Sequence, residues 1–238
     1  MRARTQFGLF LAAYVLYDVA RWITVGEITP ATEHAHWVLD LERSLGVAVE
    51  HSVQNALDGG AATWLLSNVY LAAQLVVLPG SLIWLFRRDK AVYRRLRDTI
   101  LATWMLAVPI YAAFPVAPPR LAGLGMADTV SQQAAVGLTG HSTMFYNPYA
   151  AVPSLHCGFA FAIGIALAVA ARRPLTKALW LLWGPVVSLA VVATGNHYVF
   201  DIAAGLLVAA AGYLVGPLPR RLPTLLPVPR LALSGETT

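Results

Sequence analysis

The sequence predicts an all-α integral membrane protein, a bundle of six transmembrane helices with amphipathic helices and a loop cap on its outer face. Three observations predict this class. First, 58% of the 238 residues are hydrophobic and only 12% are charged, whereas soluble domains carry about 25% charged residues. Second, six segments approach the roughly 20 apolar residues that a bilayer-spanning helix needs. Third, basic residues cluster between these segments and form no patch, which argues against nucleic-acid binding.

The predicted transmembrane helices cover residues 6–25, 62–86, 99–116, 153–171, 178–194 and 198–216. We expect the first helix to stay uncleaved, because its apolar run is about long enough to span a bilayer, whereas a signal peptide has a short core. Residues 1–216 are predicted to form a single membrane domain, and residues 217–238 a Pro-rich cytoplasmic tail. The single cysteine, Cys157, excludes an intrachain disulfide.

The basic residues also predict the orientation. If the N-terminus lies inside, the inside segments 1–5, 87–98, 172–177 and the tail hold 14 of the 17 Lys and Arg residues. Such a bias is typical of cytoplasmic segments, so both termini are predicted in the cytoplasm of a multi-pass cell-membrane protein. The exceptions are Arg21, Arg43 and Arg120.

Two long segments, 26–61 and 117–152, then fall on the outer side. Apolar residues at helical spacing in 34–57 indicate one or two amphipathic helices, which either lie on the membrane surface or pack as a cap over the bundle. These residues are Trp37, Val38, Leu41, Leu45 and Val49. The segment 117–152 is rich in Pro, Gly, Asn and Tyr, which indicates a lid or a substrate mouth.

Polar residues with catalytic potential occur where three helices reach the outer face. His197 and Asp201 are four residues apart at the start of the sixth helix, so they are predicted to share one helix face. An Asp that accepts from one ring nitrogen makes the other nitrogen a better base or nucleophile. At the start of the fourth helix, Pro153 suits the first turn and Ser154 with the free amides could bind an anion. His156 lies within that turn.

Arg120 closes the third helix and is the only basic residue of its outer segment. A guanidinium can bind a phosphate through two parallel hydrogen bonds, which makes Arg120 a candidate phosphate ligand. Candidates for lining a pocket are Asn196, Tyr198, Tyr146 and Asn147. A helix-capping role and an interfacial aromatic role would also explain Asn196 and Tyr198. An ordinary loop position would explain Tyr146 and Asn147.

The pair Pro-Ser-x-His at 153–156 and His-x-x-x-Asp at 197–201 resembles the second and third motifs of the type-2 phosphatidic acid phosphatase superfamily. The strings PSLHCG and HYVFD are similar, more narrowly, to its inositol phosphorylceramide synthase (inositolphosphotransferase) branch and bacterial relatives. The resemblance spans roughly residues 99–210, about half of the chain. It implies a six-helix bundle and a phosphohistidine mechanism that uses no metal or cofactor.

The resemblance also implies the roles of the residues. His197 would attack phosphorus, Asp201 would orient it, and His156 would protonate the leaving oxygen and then activate water or an acceptor hydroxyl. Ser154 and Arg120 would bind phosphate oxygens.

Two cations of the phosphatase branch are missing, because Ala113 and Val191 occupy the positions where that branch carries Lys and Arg. A phosphate monoester carries a charge of about −1.5 to −2 at neutral pH, so fewer cations favour a phosphodiester monoanion. The sequence therefore predicts transfer of a phospho-headgroup between membrane lipids. The alternatives are a lipid phosphate phosphatase of the phosphatidate or polyprenyl phosphate type, and a non-catalytic lipid binder or transporter. An intramembrane protease using Ser154 and His197 lacks the expected small-residue motif, and H-E-x-x-H is absent.

Overall fold

The structure, a computed structural model, describes residues 3–24, 28–133 and 149–216. Within these ranges it is all-helical, apart from an isolated parallel bridge between Val116 and Ala150. A π-helical stretch, Ala73–Val77, connects the fourth helix to the fifth. The helices are α1 (Ala3–Thr24), α2 (Ile28–Leu45), α3 (Glu50–Leu57), α4 (Gly60–Ala72), α5 (Leu78–Arg88), α6 (Lys90–Ala113), α7 (Thr129–Gln133), α8 (Leu155–Ala170), α9 (Pro174–Leu181), α10 (Trp183–Ala193) and α11 (Val199–Val215).

Each predicted transmembrane segment corresponds to one helix or to two consecutive helices. The segment 62–86 covers most of α4, the π-helical stretch and α5, and 178–194 covers the end of α9 and all of α10. Helix α6 begins earlier than the predicted membrane-spanning segment 99–116, at Lys90. Asp89 caps this helix by accepting from the amides of Ala91 and Val92, both at 3.0 Å. With Asp89 as its N-cap residue, α6 can begin with a charged turn that precedes the apolar run. The predicted tail lies outside the described residues.

Several helices have the length or surface of membrane helices. Among the described residues, the stretches Gly60–Arg88 and Pro174–Ala193 are long and apolar enough to cross a membrane, and α8 and α11 are apolar but shorter. Large apolar side chains on these helices are exposed, including Leu75, Leu175 and Leu207 at 58%, 71% and 72%. Exposed apolar surface on this scale is expected where a protein faces lipid. The fold is therefore consistent with a membrane protein.

Helix α11 packs between α6 and α8, and glycines make both contacts close. A Cβ atom at Gly205 would clash with the backbone carbonyl of Ser154, at the start of α8. A Cβ atom at Gly212 would clash with Thr103 on α6. Because only glycine fits at these positions, the backbones approach closely and the starts of α8 and α11 are brought together.

Helices α2 and α3 form a packed cap against the start of α11, which is the second of the two arrangements considered above. The buried residues of α2 lie at helical spacing and are Ala31, Ala35, Val38 and Glu42. Of the apolar residues that indicated helical spacing, Val38 is buried, whereas Trp37, Leu45 and Val49 are exposed. The buried face of α2 includes two alanines, whose small side chains allow a close approach.

The cap also holds the segment that follows α6. The His34 ring donates from Nδ1 to the Pro115 carbonyl oxygen at 2.7 Å, and the Ala117 amide donates to the Ala31 carbonyl oxygen at 2.9 Å. The Val116 amide donates to the Tyr149 carbonyl oxygen at 2.9 Å. These bonds fix both ends of the predicted outer segment, of which residues 134–148 lie outside the described residues.

Candidate active site

His197 and Asp201 form a buried hydrogen-bonded pair where α10 leads into α11. The His197 Nδ1 atom lies 3.1 Å from Asp201 Oδ2 and 2.9 Å from the Ala151 carbonyl oxygen. Since both partners are acceptors, Nδ1 carries the proton of the neutral ring and Nε2 keeps its lone pair in that form. The pair therefore has the tautomer that a nucleophilic or basic imidazole requires.

His197 lies in a turn and not on a helix, which corrects one expectation. Helix α11 begins at Val199 with Tyr198 as its N-cap, so His197 precedes the helix. The turn is made by Gly195, whose φ of +68° is in the left-handed region that favours glycine. The His197 amide donates back to the Val191 carbonyl oxygen of α10 at 3.2 Å. This turn holds His197 next to the C-terminal end of α10.

His156 is the second residue of α8, and its ring faces the same region. The centroids of the His156 and His197 rings are 5.9 Å apart. On its other side His156 stacks on Tyr70 of α4, with centroids 4.1 Å apart and planes 19° apart. A phosphorus atom bound to His197 would thus have a second imidazole nearby that could exchange a proton with its oxygens.

Close packing of α8 against α11 brings the two histidines together. The Ser154 amide donates to the Asp201 carbonyl oxygen at 3.0 Å. Farther along, a Cβ atom at Gly158 would lie 2.8 Å from the Gly205 carbonyl oxygen. The separation of the histidines is therefore set by backbone contacts between two helices, which are more rigid than contacts between side chains.

Ser154 is fully buried and caps α8. Its Oγ accepts from the Cys157 amide at 3.4 Å. The helix thus begins one residue after its cap, at Leu155, and the expectation that Pro153 occupies the first turn is wrong. Phosphate binding by Ser154 stays a prediction, and its buried hydroxyl does not fit the serine nucleophile of a protease.

Arg120 is hydrogen-bonded to the turn that carries His197. Its amide donates to the Gly195 carbonyl oxygen at 3.0 Å, and its Nε donates to Asn196 Oδ1 at 2.9 Å. Its side chain is 7% exposed. A guanidinium bonded to Asn196, the residue next to His197, is well placed to meet a phosphate, although phosphate binding itself stays a prediction.

Asp128 is part of the site and was not expected from the sequence. Its Oδ2 lies 3.3 Å from Arg120 Nη1, and Ser131 Oγ donates to the same carboxylate oxygen at 2.8 Å. The Asp128 carboxylate neutralises much of the positive charge of Arg120. The two residues are eight positions apart in an irregular segment, so no helical or strand periodicity indicated the contact.

The other predicted pocket residues have different environments. Asn196 bonds both Arg120 and, through Nδ2, the Thr194 hydroxyl at 2.9 Å, so it orients the guanidinium. Tyr198 is fully buried, and its hydroxyl donates to the Ala117 carbonyl oxygen at 3.2 Å. Tyr146 and Asn147 lie outside the described residues. The pocket roles of these residues stay predictions.

Ala113 and Val191, which stand where the phosphatase branch carries Lys and Arg, lie in different environments. Ala113 is exposed at the last residue of α6. Val191 is fully buried in an apolar cluster with Cys157, Ala160 and Val187. A guanidinium at Val191 would enter that cluster without a carboxylate partner there, which is unfavourable.

Two glutamates of the cap reach the first turn of α11, and the sequence reasoning missed both. Glu50 Oε1 accepts from the Val199 amide at 2.9 Å, and Glu42 Oε1 accepts from the Phe200 amide at 2.6 Å. Both glutamates are buried. The burial of Glu42 was indicated by its spacing, because Glu42 follows Val38 by one helical turn on the buried face of α2.

Burial is the main reason that the pKa of Glu42 rises from 4.5 to about 8, against the opposing effect of the bond from the Phe200 amide. The nearby carboxylates of Glu50 and Asp201 act in the same direction as burial. Glu42 lies on α2, which belongs to the cap. Burial therefore favours the protonated form of this carboxyl group well above the pH at which an exposed glutamate ionises.

Within the described ranges, no group of three or more His, Cys, Asp or Glu side chains could hold a metal ion. The candidate side chains that the structure brings close together there are the two imidazoles, Asp201 and Arg120.

Comparisons with known proteins agree with the motifs. A family model described as the PAP2 superfamily matches residues 36–215. The crystal structure of Aquifex aeolicus LpxE is similar with a TM-score of 0.53 at 18% sequence identity, covering 71% of this chain and 93% of that chain. At this identity the likeness shows the fold alone. A search of curated protein sequences finds no match.

Proposed function

Because the chain belongs to the PAP2 superfamily, whose model matches residues 36–215, we propose that it is a membrane enzyme acting on lipid phosphoesters. Its reaction is the transfer of a phospho-headgroup from one lipid to another through a phosphohistidine. The observation that carries this proposal is the His197–Asp201 pair, which leaves Nε2 unprotonated while His156 lies 5.9 Å away, measured between ring centroids.

In the first step, the lone pair of His197 Nε2 forms a bond to phosphorus, and the bond from phosphorus to the leaving lipid oxygen breaks. Protonated His156 gives its proton to that oxygen. Asp201 stabilises the positive charge that the His197 ring gains. The products are a neutral lipid alcohol and a headgroup phosphate bound to His197.

In the second step, the hydroxyl oxygen of the acceptor lipid attacks phosphorus, and neutral His156 takes its proton. The bond between phosphorus and His197 Nε2 breaks, so both histidines return to their starting states. Neither step as proposed requires a metal, because the nucleophile and the proton carrier are both imidazoles.

The charge of the site supports a phosphodiester substrate. Arg120 is paired with Asp128 at 3.3 Å, and the positions of Ala113 and Val191 carry no charge. A monoester would bring a charge of about −1.5 to −2 into this site, whereas a diester brings a single negative charge. The lower charge is easier to compensate with one shared guanidinium.

Hydrolysis of a lipid phosphate, such as a phosphatidate or a polyprenyl phosphate, is the second candidate. The same two histidines can activate water in place of an acceptor hydroxyl, and the helical fold matches that of Aquifex aeolicus LpxE over most of its length. The two functions differ only in the acceptor and in the charge of the phosphate.

We further propose that the site opens to the extracytoplasmic face of the cell membrane, with both termini in the cytoplasm. Support comes from the segments between helices, since those opposite the catalytic residues contain most of the Lys and Arg residues. The three active-site segments, around Arg120, Ser154 and His197, meet on the other side.

The test uses purified protein in detergent and four lipids labelled at phosphorus: phosphatidylinositol, phosphatidylglycerol, phosphatidate and a polyprenyl phosphate. A diacylglycerol or a ceramide is supplied as acceptor. Samples are quenched in alkali, which preserves phosphohistidine, and analysed by peptide mapping. We expect label on His197, a labelled transfer lipid, and no change on adding a chelator.

The His197→Ala variant should lose both label and product, and His36→Ala is the matched control because His36 is an exposed residue of the cap. Fast release of inorganic phosphate from the monoesters without a transfer product would replace transfer by hydrolysis. Undiminished turnover in His197→Ala would contradict the proposed chemistry altogether.

A further inference from the structure

The helix that carries Asp201 begins with two backbone amides bound by glutamates from the cap. A helix start has amides without partners inside the helix and a partial positive charge, so it attracts anions. In α11 the anions are built into the chain, because Glu50 and Glu42 accept from Val199 and Phe200 at 2.9 and 2.6 Å. Both amides lie between His197 and Asp201 in the sequence.

The second oxygen of Glu42 shows how the two carboxyl groups coexist. Glu42 Oε2 is buried and has no hydrogen-bond partner among the described residues when the group is treated as ionised. Glu50 is close enough to share a side-chain hydrogen bond with Glu42. If Glu42 Oε2 carries a proton, it becomes a donor with Glu50 as its acceptor, and the pair holds one negative charge in place of two.

We propose that Glu42 and Glu50 are positioning residues for the reaction, a carboxyl–carboxylate pair that shares one proton and fixes the first turn of α11. By holding the amides of Val199 and Phe200, the pair sets the position of Asp201 and, through it, the orientation of the His197 ring. The part that concerns turnover rests on the proposed function.

The pair also determines where a substrate phosphate can bind. The start of a helix beside a catalytic residue would ordinarily be an anion site. Here Glu42 and Glu50 occupy the first amides of α11, so the substrate phosphate is left to Arg120 and to the start of α8.

The proton on Glu42 makes the arrangement sensitive to alkali. The titratable groups that face Glu42 are Glu50 on α3, Asp201 on α11 and Tyr198, the N-cap of α11. The carboxylates of Glu50 and Asp201 add negative charge. When Glu42 ionises near pH 8, the added charge repels both neighbours and removes the bond to Glu50. Turnover is therefore expected to fall above this pH as the first turn of α11 loosens.

The effect on stability has a definite sign. The pKa of Glu42 is 4.5 in the unfolded chain and about 8 in the folded protein, so between these values the folded state holds a proton that the unfolded state lacks. Stability from this group is complete below pH 4.5 and is lost as the pH rises to about 8.

Three variants test the proposal in detergent solution: Glu42→Gln, Glu42→Leu and Glu33→Gln. The amide of Glu42→Gln can accept from Phe200 and donate to Glu50 without ionising, so this variant should keep turnover at neutral pH and extend the alkaline limb to higher pH. The side chain of Glu42→Leu cannot accept, and kcat should fall by about 10- to 100-fold, with KM within about threefold. Glu33 is an exposed residue of α2, and its variant should match the wild type.

An unchanged kcat in Glu42→Leu, or the same alkaline limb in Glu42→Gln as in wild type, would overturn the proposal. If Glu42→Leu does not fold, the pH profile of Glu42→Gln decides. If the wild type turns over none of the lipids, the proposed function fails, and the pair is then judged by thermal unfolding. In that case the wild type should lose melting temperature between pH 4.5 and 8 relative to Glu42→Gln, and parallel curves would contradict the shared proton.

Discussion

Replacing Asp201 by Asn separates the charge of this residue from its geometry. Both His197 Nδ1 and the Tyr198 amide donate to Asp201 Oδ2, at 3.1 and 2.9 Å. An asparagine must therefore keep its oxygen at this position, because its NH₂ group would face two donors. The tautomer of His197 is preserved, and only the negative charge is lost.

The expected loss of transition-state stabilisation follows from the distance between His197 and Asp201. Two unit charges 3.1 Å apart attract each other by about 5 kcal/mol at an effective dielectric constant of about 20. A neutral hydrogen bond keeps roughly half the strength of a charge-assisted one, so the transition state that leads to phosphohistidine loses about 2.5–3 kcal/mol. This corresponds to a decrease of about 100-fold in kcat.

The assay is steady-state headgroup transfer combined with single-turnover labelling of His197. Asp201→Asn should slow the labelling step by the same factor and leave KM within about threefold, because the charge acts mainly in the transition state. Asp40→Asn is the matched control, since Asp40 is an exposed aspartate whose side chain is 71% accessible. A labelling rate in Asp201→Asn within threefold of the wild type would refute the electrostatic role of Asp201.

Two further changes test the charge and the packing of the site. Asp128→Asn frees Arg120 from its partner, so the ratio of kcat/KM for a phosphomonoester to that for a phosphodiester should rise about tenfold, or about 1.4 kcal/mol; an unchanged ratio would show that Asp128 does not select substrate charge. Gly205→Ala forces a methyl group against the Ser154 carbonyl and should destabilise the fold by about 1–3 kcal/mol, lowering the melting temperature by several degrees. Gly80→Ala, where a Cβ atom meets nothing within 4 Å, should leave the melting temperature unchanged or slightly higher, and equal losses in both variants would contradict the packing explanation.

The sequence predicted the helices and the most local part of the site. The periodicity and length of apolar runs are local properties, so they located every helix from α4 to α11 except the short α7. The contact between His197 and Asp201 followed from a spacing of four residues, although the backbone there is a turn that leads into a helix. Contacts within a few residues depend little on the tertiary fold, which explains this success.

Contacts between distant segments could not be predicted in the same way. Glu42 and Phe200 are separated by 158 residues, and Glu50 and Val199 by 149. The sequence placed both acids in a predicted outer segment, where charged residues usually face water. Only the helical spacing of Glu42 after Val38 pointed to burial. The burial of both acids depends on how the cap packs on α11, which the small residues of α2 determine.

The segment between α7 and α8 is anchored by described residues at both of its ends. Its first anchor is α7, where Ser67 Oγ lies 3.4 Å from Thr129 Oγ1, and its second is the pairing of Val116 with Tyr149 and Ala151. Neither anchor depends on the length or composition of the chain between Gln133 and Tyr149. Evolution, or a protein engineer, could therefore exchange that stretch while His156 and His197 stay in place.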